Sequence, residues 1–272
     1  SALIVWIGCC ASSALAADWR FDVRFSEQVH EGPFSGRVYL AFTKSGAEPR
    51  LAPGNWFRPE PFVALDVVDW KPGETLTFSA AEPGAMLAYP VPLSEMDLVG
   101  HRAQALVRFN PLERQVGSGA GNGYSQVVEI DESASEGNVP EFLVDELVPD
   151  DEFQETRWIK QLQVHSPSLS EFHNRDVTMR AAVMLPASYY DTPRRRYPTV
   201  FIIPGFGGTH FRALRRNEPE QPGPDGVEFL RVMLDPSCPL GHHVFADSAN
   251  NGPWGRALIN ELIPEFEREF LA

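Results

Sequence analysis

Cysteine is scarce in this chain: three residues in 272, two of them adjacent at Cys9 and Cys10 and the third at Cys238. That excludes the disulfide framework of a small secreted module and every C-x-x-C metal or redox motif. Cations are also few, 23 Lys and Arg against 37 Asp and Glu, for a formal charge of −14. Such a balance repels phosphate backbones and anionic lipid surfaces, so no nucleic-acid partner is expected. No apolar run approaches the roughly 20 residues of a membrane span. H-E-x-x-H and the D-x-D-x-D-G calcium spacing are absent, so neither a metal nor a cofactor is expected. The glycine run Gly117-Ser118-Gly119-Ala120-Gly121-Asn122-Gly123 is followed by no Lys and no helical pattern. It reads as a flexible loop, not a phosphate cradle.

What is present begins with a short apolar run ending in small residues, with Ala14-Leu15-Ala16 as an A-x-A cleavage site. Residues 1–16 therefore read as a signal peptide cut before Ala17, and the mature chain as secreted or periplasmic, without a membrane span. The signal lacks an initiator Met and a basic n-region, so it is expected to be incomplete. Cys9 and Cys10 leave with it, and Cys238 is then a lone structural thiol.

Residues 17–131 carry short alternating runs, Phe21/Val23/Phe25, Val38/Leu40/Phe42 and Ala103/Ala105/Val107/Phe109, separated by turns such as Lys71-Pro72-Gly73-Glu74. This pattern predicts an all-β, Ig-like sandwich. Trp56, Phe57 and Trp70 offer a sugar-stacking surface, but core packing is the stronger reading of them. Residues 132–156 are rich in acid, hold no Lys or Arg and are interrupted by Pro140 and Pro149, which predicts a linker.

In residues 157–272 the runs 159–164 and 177–186 read as strands joined by a loop over 165–176. Thr199–Ile203 then reads as a strand buried on both faces of a parallel sheet. The glycine cluster after it, Pro204-Gly205-Phe206-Gly207-Gly208, turns the chain sharply at the strand's carboxyl end, where open α/β sheets place ligands. Phe229–Leu234 reads as helical and His243–Asp247 as the next parallel strand. Beyond Pro253, Leu258, Ile259, Leu262, Ile263, Phe266 and Phe270 recur at helical spacing, with Pro264 predicting a kink or break near Asn260.

Four pieces in this order resemble the putative-esterase branch of the α/β-hydrolases, the group of esterase D, enterochelin esterases and feruloyl esterases. They are His165-Ser166-Pro167-Ser168-Leu169 before Arg175-Asp176-Val177, Met184-Leu185-Pro186-Ala187-Ser188-Tyr189 before Arg196-Tyr197-Pro198, the glycine turn, and Glu261-Leu262-Ile263-Pro264-Glu265-Phe266-Glu267. The resemblance covers residues 157–272 and implies an α/β fold: a β-sandwich followed by the first half of a hydrolase domain. It implies a secreted serine esterase acting on an acyl ester, such as a carbohydrate or siderophore ester, through Ser, His and Asp or Glu. Phe206 would donate an oxyanion-hole N–H, with Gly205 and Gly207 shaping the turn, although the family often has His-Gly where this chain has Pro204-Gly205.

No G-x-S-x-G or S-x-x-K occurs anywhere, so no catalytic residue is assigned within the sequence. By the family's Ser, acid, His order the triad is expected beyond Ala272, in a protein of which this chain is a piece. His173, His210, His242 and His243 are accordingly read as surface or hydrogen-bonded histidines. Asn250, Asn251 and Trp254 are read as substrate-pocket residues, with Asn capping of the next helix equally compatible. The alternative from another class is a non-catalytic secreted binding protein on a hydrolase-like framework.

Overall fold

A computed structural model describes residues 18–52, 57 and 59–270. The signal peptide and Trp56 lie outside these residues. The chain is mostly β with few helices. It divides into two compact units, one running to Asn110 and adding Gln115–Asp150, the other Pro111–Arg114 with Asp151 onward.

The first unit contains β1 (Arg20–Phe25), β2 (Phe34–Thr43), β3 (Phe62–Trp70), β4 (Leu76–Ser79), β5 (Leu87–Tyr89), β6 (Arg102–Val107), β7 (Gly123–Ser125), β8 (Val128–Glu129) and β9 (Glu141–Leu147). They form one nine-stranded sheet in the order β4-β1-β9-β7-β6-β2-β3-β5, with β8 on β6. The alternating residues do what their period demands: Phe21, Val23, Phe25, Val38, Leu40, Phe42, Ala103, Ala105 and Val107 all point into one core. Phe21 of β1 meets Phe42 of β2 at 5.5 Å between ring centroids, although three strands separate β1 from β2 in the sheet. The sheet therefore curls around its core as a half-barrel, and the expected pair of separate sheets is not what forms.

The stretch read as an acidic linker explains this difference. Asp131 caps the short helix α1 (Glu132–Ser135) by accepting from Ser133 N–H. β9 follows, parallel to β1 and antiparallel to β7, and joins the β4–β1 pair to the remaining strands in one continuous sheet. Phe142 and Val144 of β9 enter the core while the flanking acids Glu141, Asp145 and Glu146, and Leu143 between the two core residues, face water. Trp70 is a core residue, its indole N–H held by the Glu74 carbonyl at 2.9 Å.

The second unit is organised on β10 (Ile159–His165), β11 (Thr178–Met184), β12 (Thr199–Ile202) and β13 (Leu230–Leu234), in the order β10-β11-β13-β12. β10 and β13 are each antiparallel to β11, and β12 runs parallel to β13. The carboxyl ends of β10, β12 and β13 consequently share one edge of the sheet. α2 (Pro167–His173) leaves β10 at that edge, with Ser166 accepting from Leu169 N–H at its start and Asn174, at φ 50°, ending it.

One face of this sheet packs against α2, α3 (Trp254–Ala257) and α4 (Ile263–Glu269), with Leu162, Met179, Val232, Leu262 and Phe266 in the shared core. The helix from Trp254 runs on to Glu269 through a π turn at Leu258–Leu262. That turn falls where Pro264, lacking an N–H and crowding the carbonyl four residues back, cannot continue a regular ladder.

Three local expectations are corrected. Phe229–Leu234 is not helical: Leu230, Val232 and Leu234 are buried alternately in a strand. His243–Asp247 is not a strand, because Val244 and Phe245 sit at φ 47° and 54°, in the left-handed region. β12 is not buried on both faces of a parallel sheet. It is the last strand of the order, paired only with β13 among the described residues, and Val200 and Ile203 are 45% and 43% exposed.

Candidate functional site

Because β12 and β13 are parallel, the loops that leave them emerge side by side, the arrangement that opens a ligand crevice in α/β sheets. The loop after β12 is the glycine cluster. Gly208 N–H donates to the Gly205 carbonyl at 2.8 Å, closing a turn with Phe206 at its tip and Gly207 at φ +77°. A type II turn requires a positive φ at that position. A Cβ on Gly208 would lie 2.8 Å from Pro204 Cβ, so only glycine lets the chain close here. Phe206 presents its side chain outward, 62% exposed.

The loop after β13 begins at Asp235 and makes a small hairpin, β14 (Ser237–Cys238) with β15 (Gly241–His242). His242 Nε2 donates to the Pro204 carbonyl at 2.8 Å, and its ring lies 6.3 Å from that of Phe206. Two loops from neighbouring parallel strands are thereby joined at the glycine turn.

Behind the turn, His210 is fully buried. Its Nδ1 donates to Asp235 Oδ2 at 3.1 Å, Gln161 Nε2 lies 3.4 Å from its Nε2, and the ring stacks on Phe153 at 5.3 Å. Burial opposes ionisation of Asp235, but hydrogen bonds from His210 and Ser237 and the charge of Arg180 hold its carboxyl below the ordinary range. The His–Asp geometry is that of a catalytic base and its orienting acid. Here, however, Gln161 occupies the remaining ring nitrogen, so the pair works as a structural brace between the two loops. Sequence reasoning missed Asp235. Its signal was present: once Leu230–Leu234 is recognised as a strand, Asp235 stands at the carboxyl end of it.

His243 is buried against Trp254, the rings stacked at 3.7 Å. Its Nδ1 accepts from Phe245 N–H at 3.1 Å. Burial pushes the imidazole down to about 3, against the opposing pull of Asp235.

The residues assigned to the substrate pocket are not brought to the glycine turn as a group. Trp254 is a core residue. Asn250 is exposed, and the Asn251 carbonyl accepts from His173 Nε2 at 3.0 Å. Both asparagines sit in the link between two short paired segments, β16 (Asp247–Ser248) and β17 (Gly252–Pro253). The cap of α3 is Asp247, not an asparagine: its Oδ1 accepts from Gly255 and Arg256 N–H at 2.8 and 3.1 Å. Gly252, at φ +91°, lets Phe172 of α2 pack closely, since a Cβ there would lie 2.9 Å from the ring.

Ser170, His165 and Asp176 form a superficial imitation of a triad. Ser170 Oγ at 3.3 Å and Asp176 Oδ1 at 3.7 Å both approach His165 Nε2. A triad needs its serine and its acid on opposite ring nitrogens. Sharing one nitrogen, these three cannot relay a proton. Among the described residues, no group of three or more His, Cys, Asp or Glu could hold a metal ion, and no helix is long and apolar enough to cross a membrane. No protein-family model and no curated protein matches this chain.

Proposed function

We propose that this chain is part of a secreted carboxylic ester hydrolase whose second unit is the opening half of an α/β-hydrolase domain of the putative-esterase type. The observation that carries the proposal is the position of the glycine turn. It follows β12, the third strand of its sheet in chain order, beside the loop of a parallel neighbour. α/β-hydrolases take one oxyanion N–H from the loop after the third strand.

In this function a serine outside the present sequence attacks the ester carbonyl, its proton passing to a histidine. The carbonyl electron pair becomes the oxyanion, which the Phe206 N–H helps to hold. Collapse expels the alcohol, protonated by the same histidine, and water then releases the acid from the acyl-enzyme. Carbohydrate acyl esters and siderophore esters are the substrate classes proposed.

A second function is favoured by the absence, among the described residues, of any serine, histidine and acid in relay geometry: a secreted binding protein on the same framework. Hydrolysis separates the two. The complete coding sequence, expressed and exported, is expected to cleave p-nitrophenyl acetate in a manner blocked by a serine-directed inhibitor, and residues 17–272 alone are expected not to. Absence of hydrolysis by the complete protein would favour the binding function.

A further inference from the structure

The segment that leaves β15 follows a path its residue types resist. His243 N–H donates to the Pro236 carbonyl at 3.0 Å, and Val244 and Phe245 follow at φ 47° and 54°. A β-branched and an aromatic residue both disfavour this left-handed region, so their surroundings must hold them there. Two hydrogen bonds close the segment on His243: Phe245 N–H donates to Nδ1 of the ring at 3.1 Å, and Ala246 N–H to the carbonyl at 2.9 Å. The imidazole thus takes the part of the side-chain acceptor in an Asx turn, which binds the N–H two residues on. Its ring is stacked on Trp254 and meets Phe245 nearly at right angles, 4.6 Å away.

Accepting at Nδ1 fixes the tautomer. The ring proton sits on Nε2, which is buried without a hydrogen-bond partner among the described residues. A second proton can go only to Nδ1, turning that atom from acceptor to donor against the Phe245 N–H and leaving a buried charge without an acceptor. Asp235, at the end of β13, favours that proton and His242 opposes it. Asp235 is already committed, however, to His210, Ser237 and Arg180. The helix from Trp254 presents an indole to the ring, and its Arg256 is turned to Asp247.

His242, the preceding residue, fastens the glycine turn through the Pro204 carbonyl. Its own protonation would not free that turn, because Nε2 donates in either state. Its hairpin has only two residues in each strand, so the place of His242 depends on the segment that follows it. We infer that residues 243–246 are an acid-released latch: a proton taken from solvent at His243 Nδ1 breaks the bond from Phe245 N–H, the left-handed pair relaxes, and His242 is drawn off the Pro204 carbonyl. The glycine turn is then held at neutral pH and loosened in acid. The latch belongs to the fold, whether or not the turn serves an ester hydrolase, and conformation rather than activity reports it.

The test is amide hydrogen exchange of the full chain, resolved to single residues and corrected for the intrinsic effect of pH. The closed segment holds the imidazole down to about 3 and the open one returns it to 6.5, so opening should rise about thirtyfold between pH 7 and pH 5. Faster exchange is expected at Phe245, at Ala246 and at Gly208, whose N–H closes the glycine turn, but not at Val183 in β11. His243→Asn keeps an acceptor for the Phe245 N–H and takes up no proton. Its protection at these amides should match that of the unmodified chain at pH 7 and no longer depend on pH. Nitrogen NMR of the unmodified imidazole needs no variant: a proton on Nε2 alone at pH 7, and a second taken up as the segment opens, are expected. Exchange at Phe245 that ignores pH, opening at Phe245 without Gly208, an equal acid response in His243→Asn, or a neutral ring protonated on Nδ1 would each overturn the inference.

Discussion

His242 Nε2 and the carbonyl oxygen of Pro204 lie 2.8 Å apart, one hydrogen bond fastening the loop that leaves β13 to the glycine turn that leaves β12. Replacing His242 by Ala removes the donor and leaves the Pro204 carbonyl to water. A neutral hydrogen bond of this kind contributes about 1 kcal/mol. The expected result is a loss of that order in urea unfolding, with faster amide exchange confined to Gly205–Gly208. Unchanged exchange at those amides would show that the turn does not depend on His242.

The glycines of the turn are not equivalent. A Cβ at Gly208 would meet Pro204 Cβ at 2.8 Å, whereas a Cβ at Gly205 meets nothing within 4 Å. Gly208→Ala is therefore expected to cost about 1–3 kcal/mol by crowding, and Gly205→Ala to stay within about 0.5 kcal/mol. Thermal denaturation of the two variants checks the order, and a reversal would mean that the turn closes differently.

His243 makes stability depend on pH with a definite sign. Its imidazole is held down to about 3 by burial, against 6.5 for the ordinary group, so between these values the unfolded chain binds the proton and the folded chain does not. Stability is complete above pH 6.5 and falls by up to about 1.4 kcal/mol per pH unit below it. The depressed carboxyl of Asp235 acts in the same direction, but only in more acidic solution, below the ordinary carboxylate range. His243→Phe, which keeps the stack on Trp254, should flatten the melting temperature between pH 7 and pH 5. An equally steep fall in the variant would assign the dependence to other groups.

How far the sequence led can be judged residue by residue. Period-2 burial at Phe21, Val23 and Phe25, and the turn chemistry of Gly207 and Gly208, are local properties and were legible. β9 was hidden because the acids flanking Phe142 and Val144 resemble a solvated linker, although the alternation was there. α2 replaces the loop expected over 165–176, and Ser166, Pro167 and Asn174, a cap, a first-turn proline and a left-handed stop, are its local signal. Val244 and Phe245 were not legible, since both residue types disfavour the left-handed conformation they hold; the hydrogen bonds from Phe245 and Ala246 N–H to His243 and the stacking of His243 on Trp254 accompany that path. The meeting of His242 with Pro204, and of His210 with Asp235, depends on the parallel pairing of β12 and β13, a long-range relation that no local pattern encodes.

The open edge of β12 carries its own consequence. Val200, on a strand paired on one side only among the described residues, and Ile203, just past its end, are apolar and half exposed. Such an edge is a template for association. Val200→Lys should raise the monomeric fraction of the 272-residue chain at high concentration, read by light scattering. No change would show that the edge is not what drives association.

The central claim is that this β12 edge and its glycine turn belong to an ester hydrolase. The most direct measurement is the coding sequence read beyond the codon for Ala272. The expected result is a G-x-S-x-G preceded by an apolar strand, followed by an acid and then a histidine; a stop codon, or a continuation without that serine, would contradict it.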